Sequence, residues 1–511
     1  MQDSNKKKSS IDLPTFLISG GALILFVVAA LINADLVANM VDTLFGWSAT
    51  YFGVIYQLTV LVTFFIALGL AFSKYGKIRL GKMEKPEMST FKWICIIMCT
   101  LLAGGGIFWA AAEPLSHFID VPPRFSGIEN GTVEAIVPAL ASSFVDWGFL
   151  SWAILGTLGT IVLMYAHYHK GMPLKPRSLL YPILGEKVMQ KSVIGTLVDS
   201  FSILAVAAGT IGPIGFLGLQ TGYGLNALTG LPNTLVIQII IIIVIVVGAA
   251  ISAVTGIHRG IQLLTSFNVL LALGLIIGIL LLGQGFFIFN NYFEAFGLYV
   301  NDFISFSTFR GDEDWLSLWT VFFFAWFIGY GPIMALFTAR ISRGRTIREL
   351  IVAVAVIAPI ITTFWFTVVG GTGIFYELNS PGSISTALDE AGPPAAMIAI
   401  TEQLPFPMIF GALFLLATVI FVLTTADSMA LSISMTITGE GNPPSWLRAF
   451  YALVMGLVAI VLVTIGEGSV DALQSFIVVT AVPVVFLLIT TFWTAPKAAK
   501  DLYNNHKKET L

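Results

Sequence analysis

Four acidic residues fall inside long apolar segments of the chain: Glu113, Asp146, Asp199 and Asp427. A carboxylate buried in an apolar medium without a partner is costly, so an acid in such a segment calls for a functional explanation. Glu113 and Asp199 lie towards the ends of their segments, where water is near. Asp146 and Asp427 lie deeper and are the stronger candidates for a functional role.

Aromatic side chains gather near the middle of two apolar segments. Trp147 and Trp152 lie in one, and Trp326, Phe327 and Tyr330 lie in the other. A ring face attracts a desolvated ammonium group by about 2 kcal/mol or more, and several rings together bind a quaternary ammonium without a buried countercharge. These residues therefore indicate either a site for a cationic or zwitterionic solute or ordinary ring packing.

Two adjacent hydroxyls offer a candidate cation site. Thr424 and Thr425 stand in the sequence LTTADS, residues 423–428. Hydroxyl and carbonyl oxygens suit a hard cation such as Na⁺. The alternative is that each hydroxyl bonds to a carbonyl of its own helix.

The chain that carries these residues is strongly apolar. Of its 511 residues, 57% are hydrophobic and 11% are charged, and the mean hydropathy is +0.90, more than one soluble core requires. Apolar runs of about twenty residues cross roughly 30 Å of hydrocarbon. We predict an all-α integral membrane protein with twelve transmembrane helices, near residues 13–34, 52–73, 90–112, 137–166, 194–226, 233–255, 262–290, 315–338, 350–376, 405–436, 446–466 and 470–495.

The basic residues support this topology. If the N-terminus is cytoplasmic, Arg124 and Arg310 are the only ones of the 26 Lys and Arg residues in outward loops. We predict a multi-pass protein of the bacterial inner membrane with both termini cytoplasmic. The net charge of −3 gives no reason to expect a nucleic-acid partner. The chain shows no cluster of nucleophile and base, so no enzyme is predicted.

Two predicted spans contain clusters of helix-breaking residues. Gly disfavours a helix by about 1 kcal/mol and Pro by about 3 kcal/mol relative to Ala. The clusters are five spans apart, as the first helices of two five-helix repeats would be, and unwound backbone at mid-membrane is typical of transporter sites. We predict unwinding at both clusters, although glycines also permit close helix packing. The clusters are Gly104, Gly105 and Gly106 in the third span and Gly329, Gly331 and Pro332 in the eighth.

Over nearly its whole length the chain resembles the betaine/choline/carnitine transporter family. The resemblance is most specific at AAEPLSHF (111–118), the WGxxxW pattern (147–152), ARISRGRTIRE (339–349) and TTADS (424–428). It implies a LeuT-like five-plus-five inverted repeat preceded by two extra helices, and a homotrimer. The expected division is an N-terminal tail (1–12), two peripheral helices and a loop (13–89), the first repeat (90–290), an amphipathic helix outside the membrane (291–314), the second repeat (315–495) and a C-terminal tail (496–511).

The resemblance also implies a solute site. Its aromatic box would fall on Trp147, Trp152, Leu155, Trp326, Phe327 and Tyr330, with Gly104, Gly105 and Gly106 lending backbone groups. Leu155 stands where the family usually has Tyr, and Phe327 and Tyr330 stand where Trp is usual. The aromatic box therefore has fewer and smaller rings than is usual in the family. Asp146 replaces the usual His and would add a countercharge for a cationic solute or a proton site.

For the coupling ion, sodium-coupled members imply a Na⁺ site at the backbone near Cys99 and Leu102, the carbonyl of Phe421 and the hydroxyls of Thr424 and Thr425. In sodium-independent exchangers an Arg replaces this ion, and the corresponding residue here is Asn268. Arg340 and Arg343 are candidates for a cytoplasmic gate. We predict Na⁺-coupled symport of glycine betaine or a related osmolyte by alternating access, with no cofactor beyond Na⁺. The alternative is H⁺-coupled or uncoupled transport of another amine, using Asp146.

Overall fold

Helices make up nearly all of the computed structural model, which describes residues 11–101, 103–189, 192–255, 258–439 and 442–509. Side chains at 99–104, 258–263, 265 and 506–509 lie outside the description. The first part of the chain forms α1 Leu13–Ile32, α2 Ala34–Phe72, α3 Thr90–Leu101, α4 Ala103–Ile119, α5 Ile136–Trp147, α6 Phe149–Gly156, α7 Leu158–Met164, α8 Tyr181–Leu184, α9 Val193–Thr229, α10 Leu235–Thr255 and α11 His258–Leu282.

The second part continues with α12 Gly285–Asn301, α13 Phe303–Ser307, α14 Glu313–Leu318, α15 Thr320–Ile341, α16 Ile347–Val352, α17 Ala358–Asn379, α18 Ser385–Ala391, α19 Ala396–Gln403, α20 Pro407–Thr438, α21 Ser445–Ile465, α22 Asp471–Ile489 and α23 Thr491–Glu509. Short 3₁₀ helices cover Lys74–Lys77, Pro123–Phe125, Val133–Ala135, Pro176–Leu180, Gly185–Met189 and Pro393–Ala395, and π turns cover Tyr165–His169 and Ala353–Ile357.

The hydropathy of these helices agrees with a multi-pass membrane protein. Within the described ranges, ten helical stretches are long and apolar enough to cross a bilayer, and an eleventh is reached if the bent pair α11 and α12 counts as one span. The two helices of this pair meet at 107°. The predicted third span is divided between α3 and α4, because residue 102 lies outside the described residues.

Helices α5 to α7, α9 and α15 lie at the centre of the bundle and are almost wholly buried, whereas α1 and α10 turn most of their apolar surface outward. Helix α9 packs against α15, α20, α21 and α22, and α15 packs against α6, α9 and α22. The outward apolar surface of α1 and α10 suits contact with lipid.

The predicted unwinding at residues 329–332 is wrong, because α15 is continuous from Thr320 to Ile341 and includes Pro332. Its glycines instead allow helices to approach. A Cβ at Gly331 would lie 2.8 Å from Leu488 of α22, and one at Gly329 would lie 3.4 Å from Ala205 of α9. Close packing with neighbours has outweighed the low helix propensity of these residues.

The unwinding predicted in the third span is wrong for the part that the structure describes, since α4 runs through Gly104, Gly105 and Gly106. The described breaks lie elsewhere. The fourth span is interrupted at Gly148, between α5 and α6, and α14 is separated from α15 by Trp319.

Both ends of the described chain lie at one face of the bundle, which we call the terminal face. Arg177 donates a hydrogen bond of 2.7 Å to the Asp12 carboxylate at the start of α1. Lys497 of α23 donates one of 2.9 Å to the carbonyl of Pro182. Arg177 and Pro182 lie five residues apart in the connection between α7 and α9, so α1 begins on the same side where α23 lies.

Asp12 ties the start of α1 to two other elements. It is paired with Arg177 and, at 3.4 Å, with Lys175, and its backbone N–H donates to the carbonyl of Ile437 in α20 over 3.2 Å. Burial raises the pKa of Asp12, but Lys175 and Arg177 outweigh burial and hold that pKa below its ordinary value. The carboxylate is therefore charged near neutral pH and fastens α1 to the end of α20.

A second junction joins the loop after α2 to the loop after α15. Arg79 and Thr346 form an isolated antiparallel bridge. Beside it, the N–H of Leu80 donates to the carbonyl of Arg345 over 2.9 Å, and the N–H of Gly344 donates to the carbonyl of Leu80 over 2.8 Å. The end of α2 is thereby fixed to the end of α15.

Candidate functional site

Three of the predicted box residues come together at the centre of the bundle. The Trp147 ring, at the end of α5, lies 5.3 Å from the Phe327 ring and 6.1 Å from the Trp326 ring, both of α15, and is nearly perpendicular to each. Phe323 and Phe366 complete this aromatic cluster, at 5.3 and 5.0 Å from Trp147. Ring faces at such angles are suited to enclose an ammonium group.

Trp326 is held in place by α9. Its indole N–H donates to the carbonyl of Gly209 over 3.0 Å. A Cβ on Gly209 would lie 2.1 Å from the ring of Tyr330 and 3.0 Å from that of Trp326, so only glycine lets α15 approach so closely. The Tyr330 hydroxyl is hydrogen-bonded to Thr210 at 3.1 Å, one residue further along α9. Helices α9 and α15 therefore position Trp326 and Tyr330 together.

Trp147 is held by the break in the fourth span. Gly148 ends α5 with a backbone that leaves the helical region, and a Cβ there would lie 2.7 Å from the Tyr299 hydroxyl. The indole N–H of Trp147 donates to the Glu113 carboxylate of α4 over 2.7 Å. Thus Glu113, which the sequence placed near a water interface, is fully buried and anchors the cluster.

The remaining box residues stand apart from the cluster. Trp152 and Leu155 are buried in α6, and the indole N–H of Trp152 has no hydrogen-bond partner among the described residues. Tyr330 is one turn beyond Trp326 and is partly exposed although it lies deep in the bundle. The structure thus brings Trp147, Trp326 and Phe327 into contact and places Tyr330 beside Trp326 at Gly209, whereas Trp152 makes no ring contact with them in the described part of the chain.

Gly105 of α4 sets the space between the two indole rings. A Cβ there would lie 2.6 Å from Trp326 and 3.1 Å from Trp147. Gly105→Ala is therefore expected to displace a ring and weaken solute binding by about tenfold, since overpacking typically costs 1–3 kcal/mol. Tryptophan-fluorescence titration with the solute measures this effect. Gly274→Ala is the matched control, because nothing lies within 4 Å of a Cβ at Gly274; equal affinities for the two variants would contradict the prediction.

The predicted Na⁺ ligands of α20 differ in how they are bonded. The Thr424 hydroxyl donates to the carbonyls of Ile420, at 2.8 Å, and Phe421, at 3.1 Å. The Thr425 hydroxyl is buried and has no partner among the described residues. Thr424 thus makes the bonds to its own helix that were the alternative reading, and Thr425 keeps a free oxygen.

The other predicted ligands fall largely outside the description. Leu102 lies outside the described residues, and so does the Cys99 side chain. Asn268 is buried in α11 and donates to the carbonyl of Ala417, one turn before Phe421, over 3.4 Å. The neutral side-chain amide of Asn268 therefore contacts α20 one turn before the predicted Na⁺ ligand Phe421.

Two of the four buried acids are neutralised by arginine. Asp199 accepts from the Arg177 side chain at 2.6 Å, and Asp427 accepts from Arg448 at 3.1 Å. Asp146 is fully buried and faces Glu113 instead of an arginine or a lysine. Asp427, one of the deep acids, is therefore explained as half of an ion pair, and Asp146 is not.

Two cavities lie on either side of the aromatic cluster, although none of its rings lines them. On the face away from the termini, a cavity of about 610 Å³ reaches Trp109 and Trp319. At the terminal face, a cavity of about 370 Å³ lies between α15 and α20 and is lined by Ile333, Leu336 and Arg340. The cluster lies between the two cavities along α15.

The two predicted gate residues reach different partners. Arg340 lies at the mouth of the 370 Å³ cavity, with its guanidinium 3.1 Å from the sulfur of Met435 in α20. Arg343 pairs with Glu87 at 2.7 Å and lies over the ring of Tyr168 at 4.9 Å. Arg340 is thus placed across the mouth of the cavity, and Arg343 belongs to the loops around it.

Comparison with known proteins identifies the family of the chain. Residues 14–504 match the model of the BCCT family, the betaine/carnitine/choline family transporters. The chain is 50% identical to glycine betaine transporter 2 of Vibrio parahaemolyticus, over 97% of this chain and 92% of the relative. It is 31% identical to the glycine betaine transporter OpuD of Bacillus subtilis, over 90% of each chain.

A relative named for a wider range of solutes is the ectoine/glycine betaine/proline transporter EctP of Corynebacterium glutamicum. It is 32% identical over 94% of this chain and 79% of its own length. The family model matches nearly the whole chain, and these three relatives are covered over 92%, 90% and 79% of their own length. The chain belongs to the betaine/carnitine/choline (BCCT) family of transporters.

Proposed function

We propose that the chain is a Na⁺-coupled symporter of glycine betaine or a related quaternary-ammonium osmolyte. The observation that carries the proposal is the contact of Trp147, Trp326 and Phe327 at the centre of the bundle. The rings offer an ammonium group three apolar faces, which bind a cation by their quadrupoles and exclude water. Relatives named for glycine betaine support this solute.

The two cavities support transport by alternating access. A solute that enters the 610 Å³ cavity meets Trp109 and Trp319 before it reaches the aromatic cluster. On the other side, the cavity beyond Tyr330 is lined by Arg340 and Met435, whose side chains contact each other. Separation of α15 from α20 at Arg340 would release the solute at the terminal face.

Sodium coupling is proposed at α20. The free hydroxyl of Thr425 and the carbonyl of Phe421 provide uncharged oxygens, which suit Na⁺. Asn268 supports the same assignment, because this amide bears no charge that would replace the ion. The ion would hold α20 in the arrangement that binds the solute.

Topology and assembly follow from family membership as further proposals. We propose twelve spans, of which the third to the twelfth form the inverted repeat, and assembly as a homotrimer. Lys175, Arg177, Arg345 and Lys497 all lie at the terminal face, which supports a cytoplasmic location of both termini in a bacterial inner membrane.

Uptake of labelled glycine betaine by proteoliposomes tests the proposal. We expect uptake with an inward Na⁺ gradient and only the leak of empty liposomes when K⁺ replaces Na⁺. Equal uptake in the two buffers would contradict sodium coupling and favour the H⁺-coupled or uncoupled alternative. Absence of uptake in both buffers, with bound solute detected in detergent, would contradict symport.

A further inference from the structure

A buried group of three ionisable side chains lies next to Trp147. Glu113 and His117 are one turn apart on α4, and Asp146 faces them from α5. The ligand atoms of all three lie within 4.8 Å of one another, and the Nε2 of His117 is 3.6 Å from Oε1 of Glu113. All three side chains are at most 1% exposed.

Several polar atoms of this group have no hydrogen-bond partner among the described residues. They are both carboxylate oxygens of Asp146, Oε1 of Glu113 and Nε2 of His117, although the Thr320 hydroxyl lies near Asp146, the Ser143 hydroxyl lies near Glu113, and the two carboxyl groups face each other. Asp199 and Asp427, by contrast, are each paired with an arginine. Buried polar atoms in native proteins are nearly always satisfied, so four unsatisfied atoms that face one another indicate a missing partner.

A partner that fits this group is small and positively charged. Two carboxylates carry a formal charge of −2, and neither forms an ion pair with a lysine or arginine in the described structure. The space enclosed by atoms within 4.8 Å of one another is too small for a trimethylammonium group. A divalent metal ion would balance the charge and accept a lone pair from one atom of each of the three side chains.

We propose that Glu113, His117 and Asp146 form a binding site for a divalent transition-metal ion of the zinc type. One imidazole and two carboxylates are ligands that Zn²⁺ accepts, whereas Mg²⁺ and Ca²⁺ prefer oxygen alone. Ligands of a tetrahedral zinc ion are about 3.3 Å apart, close to the 3.6 Å between Glu113 and His117. Three protein ligands leave a fourth position for water.

Neighbouring side chains hold two of the proposed metal ligands, Glu113 and His117, in fixed orientations. Trp147 donates its indole N–H to the second oxygen of Glu113, which leaves Oε1 directed at His117. The His117 ring is fixed between Trp319, at 4.5 Å, and Trp315, at 5.5 Å. Hydrogen bonds and packing around ligands orient them for the metal. A bound ion would join α4 to α5 and thereby fix the orientation of Trp147.

Metal analysis of the purified full chain tests the site. After purification without chelator and incubation with ZnCl₂ followed by desalting, we expect about one zinc ion per chain in the wild type. Asp146→Asn and His117→Gln should retain less than about a tenth of that amount, because each removes one of three ligands. Added ZnCl₂ should raise the melting temperature of the wild type and not of these variants.

Two further variants separate the site from general effects of mutation. Asp146→His replaces one ligand by another and should restore zinc binding, which a merely structural role of Asp146 does not predict. Glu377→Gln alters a buried carboxylate that is fully hydrogen-bonded by residues 382–385, and should bind zinc like the wild type. The proposal would be overturned if the wild type bound no more zinc than Asp146→Asn and if added ZnCl₂ did not change the melting temperature of the wild type. The measurement requires no transport, so its failure is distinct from failure of the proposed symport.

Discussion

Trp326→Ala is expected to weaken glycine betaine binding by about 30-fold. The substitution removes the ring face whose attraction for a desolvated ammonium is about 2 kcal/mol, and tenfold in affinity corresponds to about 1.4 kcal/mol. It also removes the anchor between the indole N–H and the Gly209 carbonyl, so Phe327 and Trp147 lose a neighbour that fixes them. Isothermal titration of the purified protein with glycine betaine gives the dissociation constant directly.

Two variants separate recognition from loss of structure. Trp326→Phe keeps an aromatic face and should lose much less affinity than Trp326→Ala. Trp446→Ala removes a tryptophan that is 51% exposed on the outer surface and should bind like the wild type. Because a large-to-small change in a packed core is destabilising, melting temperatures must accompany the titrations. Unchanged affinity in folded Trp326→Ala would remove Trp326 from the solute site.

Thr425→Val is expected to raise the Na⁺ concentration for half-maximal uptake by roughly 10- to 100-fold. The substitution keeps the shape of the side chain and removes a buried oxygen that has no other described partner. A hydrogen bond or contact to a charged group contributes about 1.5–3 kcal/mol, which sets the range. Thr424→Val should have a smaller effect, because that hydroxyl already bonds to the carbonyls of Ile420 and Phe421. Initial uptake rates over a Na⁺ titration measure both.

The matched control for the sodium site lies on the same helix. The Thr418 hydroxyl donates to the carbonyl of Phe414 and accepts from Gln220, so protein groups already satisfy it both as donor and as acceptor. Thr418→Val should lower the stability of the protein and leave its Na⁺ dependence unchanged. If Thr425→Val and Thr418→Val gave the same Na⁺ titration, the ion would have to bind elsewhere.

The sequence predicted the helical bundle because bilayer thickness dictates the length of apolar runs. The predicted first span, 13–34, corresponds to α1, and the structure ends that helix at Ile32, where Asn33 begins the next. Helix α2 starts at Ala34, well before the predicted 52, because Asn33 caps it by accepting from the Leu36 N–H over 2.9 Å. Such a cap is a local signal, which the hydropathy of apolar runs does not include.

Other features of the site could not be derived from one sequence. Glycine and proline at 329–332 predicted a break, but the neighbours that stabilise a continuous α15, Ala205 and Leu488, come from distant parts of the chain. Glu113 binds Trp147 across 34 residues, and no periodicity links the two. The sequence predicts that aromatic residues form the solute site. Tertiary packing decides which of these rings are in contact.

The single residue Asn33 has a mechanical consequence. Helix α1 is fastened through Asp12 to the end of α20, and α2 is fastened through the loop at Arg79 to the end of α15. Helices α15 and α20 line the cavity at Arg340 on its two sides. If α15 and α20 separate at this cavity, as proposed above, the angle between α1 and α2 at Asn33 should change with them.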